Sequence, residues 1–232
     1  MDLILEGLSG AVARILALDS DVLDAASTSL AVSGTATALS VLAGIPLGTV
    51  VGLTRFPGRN LVLSLFNTGM GLPPVVVGLF VVVLIWRSGP LGQLDWYCTR
   101  EAMITAQFLL AFPTVAGLTA IAVQSLDPML RLQVTAMGAT PLQLAWVLMK
   151  EARLPLLTAA MAGFGAVISE IGASLMVGCS IRSDTRILTT AIALETGKGD
   201  FGYAFALAFI LLALIFVVNA VTTWAQQHRR PL

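Results

Sequence analysis

Five long apolar runs with almost no charge constrain what this chain can fold into more than any other feature. They cover residues 29–53, 61–86, 102–124, 154–178 and 203–224. About 20 apolar residues suffice for a helix to cross a bilayer, and inside a bilayer only helices and closed barrels satisfy their own backbone. Only 11% of the residues are charged, against about 25% in soluble domains. The sequence therefore predicts an all-α membrane protein with five transmembrane helices.

The segment before the first run has a different character. Residues 1–25 mix apolar residues with spaced charges and end in three aspartates. This pattern predicts a short N-terminal interfacial helix, followed by a transmembrane domain at residues 26–226. The start is acidic and lacks a basic stretch before a long apolar run, so we expect no cleavable signal peptide.

Two runs carry polar or helix-breaking residues near their middle. A break inside the hydrocarbon is tolerated where protein or a water-filled cavity covers the freed backbone groups, so we expect the second run to face the interior of a bundle. The alternative is that these residues kink the helices and hold them together. The candidates for a pathway are Asn67, Thr68, Gly69, Gly71, Pro73, Pro74, Ser169, Glu170 and Ser174.

The stretch TAMGATPLQLAWVLMKEARLPL, residues 135–156, predicts a short helix between the third and fourth runs. Thr140 is a suitable N-cap, Pro141 suits the first helical position, and Gln143 completes a capping box. A helix at residues 141–152 would be about 18 Å long, too short to cross a bilayer. It would expose an apolar stripe at helical spacing, which needs a partner. The stripe consists of Leu142, Ala145, Trp146 and Met149.

Charge predicts the orientation. If this helix is cytoplasmic, the loops on its side carry more basic than acidic residues, and the loops on the opposite side carry more acidic residues. The basic RFPGR turn and the basic end of the chain agree with the positive-inside rule. We therefore expect the N-terminus outside and the C-terminus in the cytoplasm of a multi-pass plasma-membrane protein.

The short helix and its flanks resemble permease subunits of bacterial ATP-binding cassette (ABC) importers. In that family a cytoplasmic loop with a Glu-Ala-Ala, three residues, Gly pattern inserts into a groove of the ATPase. Gly138 matches the family glycine, but residues 132–134 read Leu-Gln-Val instead of the triplet, and Leu154-Pro155 comes about one turn late. The resemblance implies that the ATPase-coupling residues are Gly138, Ala139, Thr140, Pro141, Leu142, Trp146, Lys150 and Glu151.

Further stretches resemble the tungstate-uptake permeases, close relatives of the molybdate permeases. They are GIPLG at residues 44–48, GLPPVVVGL at 71–79, ISEIGASLMVG at 168–178 and IRSDTRILTTAIALETGKGDF at 181–201. The resemblance implies the type I ABC importer permease fold in the inner membrane, and import of tungstate, molybdate or another oxyanion. It also implies a homodimer with two ATP-binding cassette subunits and an extracytoplasmic oxyanion-binding protein. ATP and Mg would belong to the ATPase, leaving this chain without catalytic residues, cofactor or metal.

Three features allow more than one interpretation. An intramembrane acid suggests function by default, but Glu170 would repel an oxyanion, so hydrogen bonding at a helix bend or across the dimer is favoured over substrate contact. Arg182 and Arg186 fall on the outer side, where they could dock the binding protein or simply be solvated. Cys98 and Cys179 also fall there, where disulfides are permitted. We expect two free thiols, with a disulfide as the alternative.

Other classes of protein fit the sequence less well. A secondary transporter would need a coupling-ion site and often has internal repeats, and neither is evident. A membrane scaffold would need no Pro-Pro break. An intramembrane enzyme is disfavoured because the sole histidine, His228, lies in the basic tail and no nucleophile and base pair up in the sequence.

Overall fold

The computed structural model describes residue 5, residues 9 and 10, and residues 20–227, with side chains to residue 224. The predicted interfacial helix falls mostly, and the basic C-terminal end wholly, outside these residues. The regular structure of the described part is entirely helical, which agrees with the all-α prediction.

Within the described residues, three helices are long and apolar enough to cross a membrane. They are α1 (Ser20–Leu53), α4 (Arg100–Gln124) and α10 (Phe201–Gln227). α1 begins nine residues before the first predicted run, with Asp21 in its first turn, where a negative charge favours the helix dipole. α4 is capped by Thr99, whose side chain accepts a hydrogen bond from the backbone N–H of Ala102.

α1 and α4 form the most extensive helix pair. Three glycines of α1, at every fourth position, face α4: Gly44, Gly48 and Gly52. A Cβ at Gly48 would lie 2.8 Å from the Cβ of Thr119, so only glycine permits this approach. Small residues therefore bring these membrane helices together, as the composition of the first run predicts.

The second predicted run is broken into α2 (Arg59–Met70) and α3 (Pro74–Ile85), which are bent by 103°. α2 ends before Gly71, and Pro74 is the first residue of α3, a position where its missing N–H costs nothing. The predicted break is therefore confirmed. The fourth run is also two helices, α7 (Arg153–Ile168) and α8 (Gly172–Gly178), separated at Glu170.

Two short helices, α5 (Pro128–Ala136) and α6 (Pro141–Glu151), connect α4 to α7. α6 and α7 meet at a 74° bend. Counting each bent pair as one span gives up to five spans, by length and composition, in the part of the chain that the structure describes. We call this end of the bundle the coupling end. It also holds the end of α1 and the start of α2.

The opposite end, the disulfide end, contains the start of α1, the end of α8 and helix α9 (Leu188–Lys198). The expectation of two free thiols was wrong, because Cys98 and Cys179 form a disulfide with their Cα atoms 5.1 Å apart. That separation is within the usual range of about 4.4–6.8 Å. The bond also joins two loops that the predicted five-span topology assigns to the same side.

Residues 180–200 connect the fourth and fifth predicted runs, and they pack against the membrane helices instead of forming a separate loop. Leu188 at the start of α9 is fully buried, and its backbone N–H donates to Ser29 Oγ of α1 at 2.9 Å. α9 also packs against α10. The segment therefore closes the disulfide end of the bundle.

Candidate functional site

Helix α6 begins with the predicted capping box. The backbone N–H of Thr140 donates to Gln143 Oε1 at 2.8 Å, and the N–H of Gln143 donates to Thr140 Oγ1 at 3.4 Å. Gly138 precedes the cap with φ +83°, a left-handed conformation that favours glycine. Two N–H groups that the helix start would leave unpaired are satisfied, so α6 is a short helix with a fixed beginning.

The outer face of α6 is apolar and exposed. Leu142 is 80% exposed and Trp146 is 66% exposed, while Leu148 on the inner face is buried. A groove of about 1020 Å³ between α5 and α6 is lined by the side chains of Val134, Met137 and Trp146, among others. A concentrated apolar surface of this kind is typical of a protein interaction site.

The remaining predicted coupling residues lie partly in the groove and partly at the end of α6. Gly138 and Ala139 line it, whereas Lys150 and Glu151 are exposed at the end of α6. The residues that replace the family triplet lie in α5, where Leu132 is exposed and Val134 lines the groove. Val134, which stands at the last position of the triplet, therefore adds apolar surface to the groove.

Glu170 lies at the break between α7 and α8 and is only 4% exposed. Its Oε1 accepts a hydrogen bond from the N–H of Ala173 at 2.6 Å. Its Oε2 accepts from the N–H of Ser174 at 3.0 Å and from Ser174 Oγ at 2.7 Å. The carboxyl group thus caps α8 from within the chain, which is the interpretation the sequence favours over substrate contact.

Two residues that the sequence analysis missed complete this network. Gln107 Nε2 of α4 donates to Ser174 Oγ at 3.1 Å, and Thr189 Oγ1 of α9 donates to the Glu170 carbonyl at 2.9 Å. Gln107 Oε1 is buried and has no hydrogen-bond partner among the described residues. The available signal for Gln107 was an amide well inside the third apolar run, whose other glutamine, Gln124, stands at its end. Nothing in the sequence indicates Thr189 in the same way.

The two broken helices meet just beyond their breaks. A Cβ at Gly172 would lie 2.6 Å from Val75 Cγ2, and a Cβ at Gly78 would lie 2.8 Å from the Cα of Ala173. α3 and α8 can approach this closely only because both positions are glycine. The structure therefore joins the breaks at Pro74 and Glu170 in one region.

The predicted pathway residues separate into a buried and an exposed group. Glu170 and Ser174 belong to the core, and Gly69 packs against Pro113 of α4. The exposed group points away from the core of the chain and consists of Asn67, Thr68, Gly71, Pro73, Pro74 and Ser169. Exposed polar side chains within apolar helices indicate contact with another helix or a water-filled cavity.

At the disulfide end, both predicted docking arginines have partners in the chain. Arg182 pairs with Asp21, with Nε donating to Oδ1 at 2.8 Å. Arg186 is half-buried, and its Nε donates to the Ser180 carbonyl at 3.4 Å. Neither guanidinium is simply solvated.

Across the described residues, no group of three or more His, Cys, Asp or Glu side chains could hold a metal ion.

Comparisons with known proteins agree with this architecture. A family profile described as binding-protein-dependent transport system inner membrane component matches residues 44–231. A probable anion ABC transporter permease protein of Haloferax volcanii is 44% identical, over 84% of this chain and 86% of that protein. A tungstate uptake system permease protein of Peptoclostridium acidaminophilum is 35% identical, over 98% of this chain and all of that protein.

The fold is also similar to that of a solved methionine ABC transporter in an inward-facing conformation. The TM-score is 0.68 at 20% identity, with 91% of this chain and 95% of that chain covered. The predicted type I ABC importer permease fold is confirmed.

Proposed function

The chain belongs to the family of binding-protein-dependent transport system inner membrane components, and from this premise we propose that it is the permease of an ATP-driven importer for tungstate. It is a transport subunit and not an enzyme, because in this family ATP hydrolysis belongs to a separate ATPase. The observation that carries the choice of substrate is the end-to-end similarity to a tungstate uptake permease. Molybdate is the second candidate, since the sequence also resembles that related group.

The exposed apolar face of α6 supports a docking role for this helix. We propose that α6 inserts into a groove of the ATPase, with Leu142 and Trp146 as the main contacts and Lys150 and Glu151 at the rim. ATP and Mg would bind in that partner. When the ATPase subunits close on ATP, α6 would move with them, and α7 would follow because it joins α6 at the 74° bend. This movement would open the substrate pathway toward the outside.

The pathway is best supported at the exposed polar group of the second span. Asn67 and Thr68 are exposed on α2, where a second copy of the chain could enclose them in a homodimer. Their amide and hydroxyl groups can hydrogen-bond an oxyanion without a fixed positive charge that would retain it. Glu170 has a different role, because its oxygens are occupied in capping α8.

The proposed orientation places the disulfide end outside. Disulfides persist in oxidising environments outside the cytoplasm, which agrees with the charge distribution of the loops. The surface around Arg182 and Arg186 would then face the oxyanion-binding protein, and the coupling end would face the ATPase.

Uptake into proteoliposomes tests the proposal. The chain, its ATPase and its binding protein are reconstituted together, and tungstate uptake is measured with internal or external ATP, with a non-hydrolysable analogue, and with ion gradients alone. We expect uptake that requires ATP hydrolysis. Uptake driven by an ion gradient would support a secondary transporter, and ATP-driven uptake of molybdate but not tungstate would reassign the substrate.

A further inference from the structure

A basic cavity lies at the coupling end, on the membrane side of α6. Its volume is about 410 Å³, and it is enclosed by the ends of α1 and α4, the start of α2, and helices α5 and α6. Arg55, Arg59 and Arg131 line it, together with Asp127 and the buried side chain of Leu148. Three arginines and one aspartate line the cavity, so its lining has a net positive charge.

Local hydrogen bonds fix part of this lining before any ligand arrives. Arg59 Nε donates to the Val51 carbonyl at the end of α1, at 2.9 Å, which leaves its terminal N–H groups for another acceptor. Asp127 Oδ1 accepts from the N–H of Met129 at 2.8 Å and caps α5. Among the ion pairs of the described residues, none involves Arg55, Arg59 or Arg131.

We propose that this cavity binds the phosphate group of an anionic phospholipid. Guanidinium groups match phosphate oxygens with paired hydrogen bonds, and basic pockets between transmembrane helices at a membrane surface bind phospholipid headgroups. The cavity lies where α1 and α4 end, and the ends of membrane-spanning helices lie near the polar headgroups of a bilayer. Exposed Phe56 follows Arg55 directly, and exposed Leu61 comes two residues after Arg59. Both offer apolar surface for the rest of the lipid, which a free oxyanion would not use.

Because of the position of the cavity, a bound lipid would affect the coupling of ATP hydrolysis to transport. Pro128 and Arg131 lie on α5 and Leu148 lies on α6, while the other lining residues belong to the ends of the membrane helices or to the loops next to them. A bound phosphate would therefore connect the helices that carry the groove to the membrane helices that they move. Transport would then depend on the anionic lipid content of the membrane.

The test measures lipid retention by the permease itself, so its outcome is independent of the substrate. The chain is placed in nanodiscs of phosphatidylcholine with about 20% phosphatidylglycerol, and the bound lipid is identified by native mass spectrometry. The test variant combines Arg55→Gln, Arg59→Gln and Arg131→Gln. Arg87→Gln is the matched control, because Arg87 is exposed at the disulfide end.

We expect wild type and Arg87→Gln to retain phosphatidylglycerol selectively and the triple variant to bind it about 100-fold more weakly. Arg55→Gln alone is the second variant, since the Arg55 side chain makes no hydrogen bond within the described chain. This variant should bind phosphatidylglycerol about fivefold more weakly than wild type. Equal retention by these variants and wild type would overturn the proposal.

A second arm separates the two sources of an oxyanion. The same proteins in pure phosphatidylcholine receive inorganic phosphate or tungstate, and binding is measured by calorimetry. We expect no arginine-dependent binding. If the free ions bind wild type but not the triple variant, while phosphatidylglycerol retention is unchanged, the cavity is a site for free oxyanions and the lipid proposal is wrong.

Discussion

The two ends of this bundle are stabilised in different ways. At the disulfide end, Cys98 is bonded to Cys179, and Arg100 pairs with Asp184 at 3.5 Å. These contacts join segments far apart in sequence. At the coupling end, the hydrogen bonds of α6 are local, such as the capping box three residues wide, and the apolar side chains face outward. One end holds its shape alone, and the other presents a surface that is incomplete without a partner.

This difference fits a permease that transmits motion. A helix that moves with an ATPase must be rigid internally but free of long-range bonds to the rest of its own chain. α6 satisfies both conditions, because its start is capped and Leu148 is the residue that it buries. Substitutions at the disulfide end should therefore affect stability, and substitutions at the coupling end should affect transport.

Loss of the disulfide should give the largest effect on stability. The bond closes a loop with a sequence separation of 81, so the double variant Cys98→Ser, Cys179→Ser should lose about 3 kcal/mol of unfolding free energy. Thermal unfolding in detergent measures the loss, with reduced wild-type protein as the control. Uptake per folded molecule should remain at the wild-type level, and a loss of uptake without a loss of stability would contradict the division between the two ends.

Trp146→Ala should give the largest effect on partner binding. Removal of an exposed aromatic contact should weaken ATPase affinity about 30-fold, or about 2 kcal/mol, because no other tryptophan lies on α6. The matched control is Trp86→Ala, which removes a similarly exposed tryptophan at the disulfide end. Binding is measured by titration of the purified ATPase. Equal losses of ATPase affinity in both variants would contradict the distinction between the coupling end and the disulfide end.

Glu170→Gln tests the region between the two ends. The two carboxylate oxygens of Glu170 both accept hydrogen bonds, whereas a glutamine side chain has only one acceptor oxygen. The variant should therefore lose about 2 kcal/mol of stability. Ser169→Ala is the control, because that hydroxyl is exposed and donates to the Gly165 carbonyl of the preceding helix, α7. Denaturant unfolding of both variants measures the loss of stability, which should be larger for Glu170→Gln than for Ser169→Ala. A stable Glu170→Gln protein that fails to transport would instead favour a direct role for the carboxyl group in transport.

Two glycines, one at each end of the bundle, allow a comparison in which the expected effect on stability is smallest. Gly138 at the coupling end and Gly199 at the disulfide end have φ values of +83° and +81°, and a Cβ on either would meet no atom within 4 Å. Valine at either position should therefore cost about 1 kcal/mol of strain. Only Gly138→Val should lower tungstate uptake per ATP hydrolysed, because it tilts the start of α6. Similar coupling ratios in the two variants would show that the geometry of α6 does not matter.

Features that depend on neighbouring residues were predictable from the sequence. The capping box of α6 and the break at Pro74 follow from residue types a few positions apart, and both occur where expected. The start of α1 was placed too late because the aspartates were interpreted as an interfacial boundary, although acids in a first turn also stabilise a helix.

Features that depend on distant contacts could not be predicted in this way. The pairing of Cys98 with Cys179 requires two loops to meet. The partner of Gln107 lies 67 residues away, and Arg131 shares its cavity with arginines on the other side of α4 in sequence. Resemblance to a family supplied the fold, but these contacts come from the packing of the chain.

The most direct test of the docking role is photo-crosslinking from α6. A photoreactive phenylalanine analogue replaces Leu142 at the coupling end or, as the control, exposed Leu194 on α9, and the assembled transporter is irradiated in membranes. We predict a crosslink from position 142 to the ATPase subunit and none from position 194. Efficient crosslinking of the ATPase from position 194, or from neither position in an assembled complex, would contradict the assignment of α6 as the site that couples ATP hydrolysis to transport.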